Sequence, residues 1–535
     1  MKLKRILYLI KCLFRVYPPL AKLTIPSSFK KNKQIFFLNK KNSKTIKICF
    51  QLVQNPFYFL LFGRLICELQ KYSRVENSVI VNQGISGSIG FNLITEIQRS
   101  APIAWIKTMQ WERAYGNTIL PKIAYRSSTW LHPLKDLDSL LEAIFLWKKF
   151  KRTIIKSYSL KYCKIEIGDL IVDTYLRFRP SPKFIISDLF VLKIIWQAIR
   201  DIKKSERYFV KEKPDFYFSS YSTYIEHGIP VRVAIKNNIN TYTFGNVQTF
   251  AKKLTKTDYY QTANCDKYKG LFSSLSHKEE KLKKAEFQLN RRLSGKNDAA
   301  TYYMKKSTYS NDSINIKFKQ SSVVIFLHDF YDSPHVYKNF IFIDFWQWLI
   351  FTIRVLKKNN INFYIKTHPN QIALSAKVIK DLKLLIPEEH WLPRNINTKQ
   401  LVALGMICGI TAYGNVAHEL AYLGVHSICC ARHPHHSFDF CKTANSKKEY
   451  EFFLKEYYHP PISKVKMRKQ ALAFYYIHNL HGTSDDLNVR FKFLELVKAS
   501  RYVKISWPNF FSRLDNLIRT NFFKKFCKKI ILKIN

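Results

Sequence analysis

Between residues 316 and 430 short apolar runs alternate with longer segments of helical pattern, and this alternation leaves the chain few folds to choose from. Ser322–Leu327 reads SVVIFL, a continuous apolar run of the kind expected for a strand covered on both faces. Strands are also predicted at Asn362–Lys366, Met406–Thr411 and Val425–Cys430. Helices fill the gaps: an aromatic one ending near Lys358, one over Leu374–Leu385, and one over Val416–Gly424. A β-α-β-α-β-α-β order implies crossover connections and a doubly wound parallel sheet.

Upstream, strands are expected at Ser78–Val81, Asp215–Phe218 and Asn240–Phe244, with helices at Leu137–Tyr158 and Leu189–Val210 between them. The polar connector Ser307–Ser313 marks a boundary near residue 315. The expected organisation is therefore a basic segment at 1–44, a Rossmann-like domain at 45–315, a second at 316–480, and C-terminal helices at 481–535. A chain of 535 residues has length for two to four domains.

With only 15 glycines, glycine-rich phosphate loops would stand out. Gly84-Ile-Ser-Gly87-Ser-Ile-Gly90 has the wrong first spacing for G-x-G-x-x-G, and Gly295-Lys296 lacks the remainder of a P-loop. Nicotinamide enzymes and P-loop ATPases are thereby disfavoured. Ten scattered cysteines without C-x-x-C argue against a zinc ribbon and against a secreted disulfide framework, and suggest a reducing, cytoplasmic setting. His418-Glu419 begins H-E-x-x-H, but position 422 is Tyr. His433-Pro-His435-His436 reads as clustered surface histidines, so no metal site is expected. No G-x-S-x-G elbow is present.

Lys and Arg number 88 against 38 Asp and Glu, a formal excess of +50. Part of it fits an A+T-rich coding bias; the remainder points to an anionic partner. The N-terminal apolar run is too short for a signal peptide. Near the C-terminus, Phe511, Leu514, Ile518, Phe522, Phe526 and Ile530 recur at about helical spacing, with Arg513, Arg519, Lys524, Lys525, Lys528 and Lys529 on other faces. Such a basic amphipathic helix suits the anionic inner face of a membrane, the alternative being a helix packed on its own domain.

Three polar clusters fall at predicted strand exits, where open parallel sheets bind ligands. They are His328-Asp329-Phe-Tyr-Asp332-Ser333, Lys366-Thr-His368-Pro369, and Thr411-Ala-Tyr-Gly414-Asn415-Val-Ala-His418-Glu419. Pro369 holds the His368 backbone extended, which suits an imidazole aimed at a phosphate leaving group. Gly414 and Asn415 open a helix whose first turn suits a phosphate, with Glu419 placed to accept from ribose hydroxyls.

Taken together with Ser446-Lys-Lys-Glu449-Tyr450, these segments resemble bacterial capsule-polysaccharide glycosyltransferases of GT-B type, similar to the Kdo and sialic acid transferases with a His-Pro motif. Ile167–Arg177 and Tyr224-Ile-Glu226-His227-Gly228-Ile-Pro-Val-Arg232 resemble segments of the same surface-polysaccharide proteins. The resemblance spans roughly 160–455. It implies a nucleotide-sugar co-substrate, possibly CMP-linked, held by the C-terminal domain through His368, Gly414, Asn415, His418 and Glu419. Lys366, Pro369, Thr411, Asp329, Asp332, Ser333, Ser446 and Arg232 are further binding candidates. It also implies a glycan or lipid-linked acceptor on the N-terminal domain, and no metal or other cofactor. The acidic-acidic-Gly motif that supplies the base in such transferases is missing, and Glu226 and His227 are its nearest substitutes. Polyol-phosphate transfer from a CDP-alcohol is an alternative, and a non-catalytic RNA- or membrane-binding protein another. No nucleic-acid-binding signature favours RNA.

Overall fold

A computed structural model describes residues 45–82, 121–127, 136–154, 158–179, 181–246, 249–262, 265–296, 314–368, 373–502 and 520–532, with the isolated residues 108, 109, 111, 112, 115, 134, 298, 309, 513, 516 and 517. The basic segment at 1–44, Pro369, and Phe511, Leu514 and Ile518 of the C-terminal pattern lie outside these residues. The chain forms two compact α/β units. One comprises 1–180, 185–261 and 505–535, and the other 181–184 and 262–504.

The first unit begins with β1 (Ile46–Leu52), α1 (Pro56–Leu69), β2 (Val75–Asn82), β3 (Lys122–Ser127) and α2 (Leu137–Thr153). A two-residue hairpin, β4 (Lys161–Tyr162) and β5 (Ile165–Glu166), leads into α3 (Gly168–Phe178) and α4 (Leu189–Glu212). The unit continues with β6 (Phe216–Ser219), α5 (Tyr224–Lys236), β7 (Asn240–Phe244) and β8 (Ala251–Leu254). Its sheet runs β3-β2-β1-β6-β7-β8, parallel except for β8. Setting the hairpin aside, this is the 3-2-1-4-5-6 order of dinucleotide-binding folds, and its direction of winding reverses between β1 and β6. Every residue of β6 is buried, as a central parallel strand requires.

The second unit opens with α6 (Tyr268–Ser273) and α7 (Lys278–Leu293), followed by β9 (Val323–Phe326), α8 (Phe345–Lys358), β10 (Phe363–Lys366) and α9 (Ala373–Lys383). Then come α10 (Thr398–Ala403), β11 (Cys408–Ile410), α11 (Val416–Tyr422), β12 (His426–Cys429) and β13 (Cys441–Thr443). The helices α12 (Lys447–Lys455), α13 (Lys464–Tyr475) and α14 (Ser484–Tyr502) complete it. The sheet order β10-β9-β11-β12-β13 is all parallel and equals 2-1-3-4-5, the flavodoxin-like winding, with its reversal between β9 and β11. Local signals agree with these elements. Asp344 caps α8 by accepting from Gln347 N at 2.7 Å. Gly424, at φ +84°, ends α11 in the left-handed conformation.

Two expectations are corrected. The boundary lies at 261/262, well before 315, because Leu282, Ala285 and Leu289 of α7 share a core with Ala417, Ala421 and Phe474. Nor do residues 481–535 form one C-terminal element: α14 belongs to the second unit, whereas α15 (Asn521–Ile531) belongs to the first. Phe523, Cys527 and Ile530 of α15 are buried, and Phe526 stacks edge-on to Tyr242 and Phe244 at 5.4 and 5.5 Å. Its apolar stripe is therefore occupied by its own unit. Lys524, Lys525, Lys528 and Lys529 are exposed. No helix among the described residues is long and apolar enough to cross a membrane.

Candidate active site

In the first unit, the winding reversal brings the end of β1 beside the end of β6, and Gln51 organises what lies there. Its buried amide donates to the Glu226 carbonyl at 3.0 Å, a bond only its nitrogen can make. That bond fixes the amide so that its oxygen faces His227 Nδ1 at 2.8 Å, where the Ser219 hydroxyl also donates at 3.0 Å. Nδ1 therefore carries a proton. The other ring nitrogen, Nε2, is 3.1 Å from Glu226 Oε1. The two side chains are thus within ion-pair reach of each other at the end of β1.

The backbone feeding this pair is constrained. Tyr224, the first residue of α5, has φ +59°, a left-handed conformation that disfavours a bulky side chain by about 1–2 kcal/mol. It is followed by an anchoring bond from Ile225 N to Thr174 Oγ1 at 2.9 Å. Strain of this type, fixed by surrounding bonds, concentrates at functional sites. Gly228 packs so tightly that a Cβ there would lie 2.5 Å from Leu170 Cδ2.

Arg232 has a different role. Its buried guanidinium grips Asp169 through two bonds of 2.7 and 2.5 Å and lies over the Tyr259 ring, so it braces α5 against α3 and is not free for a ligand.

In the second unit, the exits of β10, β9 and β11 lie side by side. His328 follows β9, stacks on Phe345 and is half-buried. Gly414 N donates to Thr411 Oγ1 at 3.1 Å, and the Thr411 hydroxyl in turn meets His328 Nε2 at 3.1 Å. Burial pushes the His328 pKa down to about 3, so the ring is neutral and its Nε2 accepts from Thr411. Thr411 and the Gly414 amide thus shape the turn, instead of presenting donors to a phosphate as expected. A Cβ at Gly414 would lie 2.7 Å from Thr411 Oγ1, so the turn closes only around glycine. Asn415 is half-buried at the start of the seven-residue helix α11, and its side chain makes no capping bond.

Asp329 accepts from Ser375 Oγ at 2.7 Å and from Tyr331 N at 3.1 Å, and its charge acts on His368. Burial lowers the His368 pKa; Asp329 opposes the shift, and Lys366 and Arg394 reinforce it. Lys366 donates to the Arg394 carbonyl at 3.2 Å, and burial lowers its pKa to about 8. Asp332 is exposed, and Ser333 is buried with its carbonyl accepting from Tyr413 OH at 3.2 Å.

Three remaining candidates are committed to contacts within the fold, although the Glu419 charge also acts on Lys366. His418 is buried against Phe474 and Tyr475, 5.1 and 6.0 Å between ring centroids, and burial drives its pKa well below the usual imidazole range. Glu419 is paired with Arg292 at 2.5 Å and accepts from Tyr309 OH at 2.5 Å, so its carboxylate is committed within the fold, not to a ribose. Ser446 caps α12: its hydroxyl accepts from Glu449 N at 3.1 Å while Glu449 accepts from Asn445 N at 2.7 Å. The 433–436 histidines are not at the surface either, since His433 and His435 are buried.

Sequence reasoning passed over Gln51 and took His328 only as the first residue of a polar cluster, without a role of its own. Both had a signal: each is a polar side chain within or directly after an apolar strand.

No protein-family model and no curated protein sequence matches the chain. Among solved structures it is similar to UDP-GlcNAc 2-epimerase of Methanocaldococcus jannaschii in complex with UDP-GlcNAc and UDP. The identity is 11%, 79% of this chain and 98% of that one are covered, and the TM-score is 0.24. It is also similar to UDP-GlcNAc 2-epimerase from Neisseria meningitidis bound to UDP-GlcNAc. There the identity is 10%, the coverage 80% and 97%, and the TM-score 0.21.

Proposed function

We propose that the chain is a GT-B-type glycosyltransferase that moves a sugar from a nucleotide-sugar to a surface-polysaccharide acceptor. The observation that carries this reading is the Glu226–His227 pair, oriented by Gln51 at the winding reversal of a Rossmann-type sheet. A general base has to sit within hydrogen-bond reach of the hydroxyl it activates, directly or through one water. In this reading a Glu226 carboxylate oxygen takes the acceptor's proton as the glycosidic bond forms and the sugar–phosphate bond breaks, with the nucleotide leaving, while His227 orients that carboxylate.

The second unit takes the donor. His368 and the buried Lys366 offset charge developing on the departing phosphate, with Asp329 setting the His368 field. The exposed lysines of α15 give the enzyme a cationic face for the anionic inner leaflet, where lipid-linked acceptors reside, without inserting the helix.

The test is a thermal-shift screen of CMP-, UDP-, GDP- and CDP-linked donors, followed by analysis of the nucleotide released on adding acceptor. Transfer predicts stabilisation by one nucleotide class and acceptor-dependent release, lost in His368→Ala. Release of CMP from a CDP-alcohol would indicate polyol-phosphate transfer instead. Conversion of the donor sugar to its epimer without an acceptor, or no donor binding at all, would contradict the proposal.

A further inference from the structure

The second unit contains a buried sulfur and nitrogen cluster that the proposed transfer does not use. Cys429 ends β12 and Cys441 begins β13; His435 lies midway along the loop that joins them, giving Cys-x5-His-x5-Cys. The two sulfurs are 3.2 Å apart and His435 Nε2 is 3.6 Å from Cys429 Sγ. All three ligand atoms lie within 4.8 Å of one another. The residues are 0%, 0% and 6% exposed.

From this geometry we propose that Cys429, His435 and Cys441 bind a thiophilic divalent cation, with zinc the best match. Tetrahedral zinc, at about 2.3 Å to sulfur and about 2.0 Å to nitrogen, sets S···N at ~3.5 Å and S···S at ~3.8 Å. The first separation is already present, and the second needs an opening of roughly 0.6 Å. Two thiolates and a divalent cation sum to zero charge, which an apolar core accommodates far better than an isolated ion. Sulfur and imidazole donors select zinc over magnesium or calcium.

The imidazole supplies a second observation. His435 Nδ1 is buried without a hydrogen-bond partner among the described residues, and its ring is held by Phe440 and Phe474 at 5.7 and 5.9 Å. Its Nε2 meets the Cys429 sulfur and is thereby aimed into the cluster. His433 lies beside the cluster, 3.9 Å away between ring centroids, with its Nδ1 accepting from the His435 amide at 3.4 Å. A bound cation would fasten the β12–β13 connection to α13, because Phe438 and Phe440 of that loop pack on Phe474.

The experiment uses the full chain, purified without a metal-affinity tag and supplied with zinc. Elemental analysis is expected to find about one zinc per chain. Cobalt exchange is expected to give a thiolate-to-metal charge-transfer band. Cys429→Ser, Cys441→Ser and His435→Ala each lose the zinc and the band, whereas Cys430→Ser, at the neighbouring buried thiol, keeps both. Where a ligand variant does not fold, thiol labelling of the wild-type chain replaces it: two thiols become reactive only after chelation. A wild-type chain with no bound zinc and no cobalt band would overturn the proposal. So would zinc retained in both cysteine variants, or a Cys429–Cys441 disulfide found by mass.

Discussion

Gln51 orients His227 by facing Nδ1 with its amide oxygen while its amide nitrogen holds the Glu226 carbonyl. With alanine at this position, His227 loses the oxygen that holds Nδ1–H and the Glu226 carbonyl loses a donor. Gln51→Ala is therefore expected to lower kcat on the order of 10²-fold through misplacement of the pair, with KM little changed. Gln51→Glu, which keeps an oxygen toward Nδ1, should recover part of the loss; steady-state kinetics of the two variants checks this. Lys366 makes a second prediction. Its cation, lowered to about 8, is present below that pH and absent above it, so donor affinity should weaken as pH rises through about 8. In Lys366→Met the dependence should vanish, as a binding titration at several pH values would reveal. Both residues were within reach of sequence reading, but only Lys366 was chosen. The meaning of Gln51 lies in a partner 175 residues away, a pairing that no local pattern contains.

Elements were legible where burial alone defines them. SVVIFL, FYIK and NTYTF all lie on strands, whose apolar runs need no partner to be recognised. β1 and β13 escaped notice: β1 carries Lys47 and Gln51 within its run, and β13 is three residues long. The helices teach a different lesson. α11 has His418 and Glu419 in a pattern that suits a ligand, yet six of its seven residues are buried and it packs on α13 and α7. Amphipathic spacing in α15 fits a membrane or a protein surface equally well, and only the ring contacts with Tyr242 and Phe244 decide for protein. Removing one partner of the α7–α11 ion pair tests this packing. Arg292→Met leaves the Glu419 carboxylate buried without its cation and should cost about 3–5 kcal/mol in denaturant unfolding. Adding Glu419→Leu should restore most of it.

At the scale of the molecule, neutral histidines govern the response to acid. Burial lowers His328 and His478 from 6.5 to about 3, and His426 to about 4. The unfolded chain binds those protons below about 6.5 and the folded chain does not. Stability is therefore full above that pH and falls as pH drops toward 4, by about 1.4 kcal/mol per unit for each histidine. Unfolding midpoints measured from pH 7.5 to 5 should decline accordingly. A midpoint that held steady over this range would mean that the rings are protonated in place.

The excess of +50 also acquires a location, since part of it is the lysine face of α15. The charge total alone could not distinguish that face from a nucleic-acid groove. The two-unit α/β plan was legible from the alternation of elements, whereas the division at 261/262 was not, because α7 joins its core through residues more than 120 positions downstream.

The central claim, base-assisted sugar transfer, is tested most directly by following nucleotide release from the donor identified in the thermal-shift screen, with and without acceptor, in the wild-type chain and in Glu226→Gln. The account predicts acceptor-dependent release in the wild type and a fall of about 10²–10⁴-fold in Glu226→Gln with donor binding retained. Equal release by the two proteins, or release that ignores the acceptor, would contradict it.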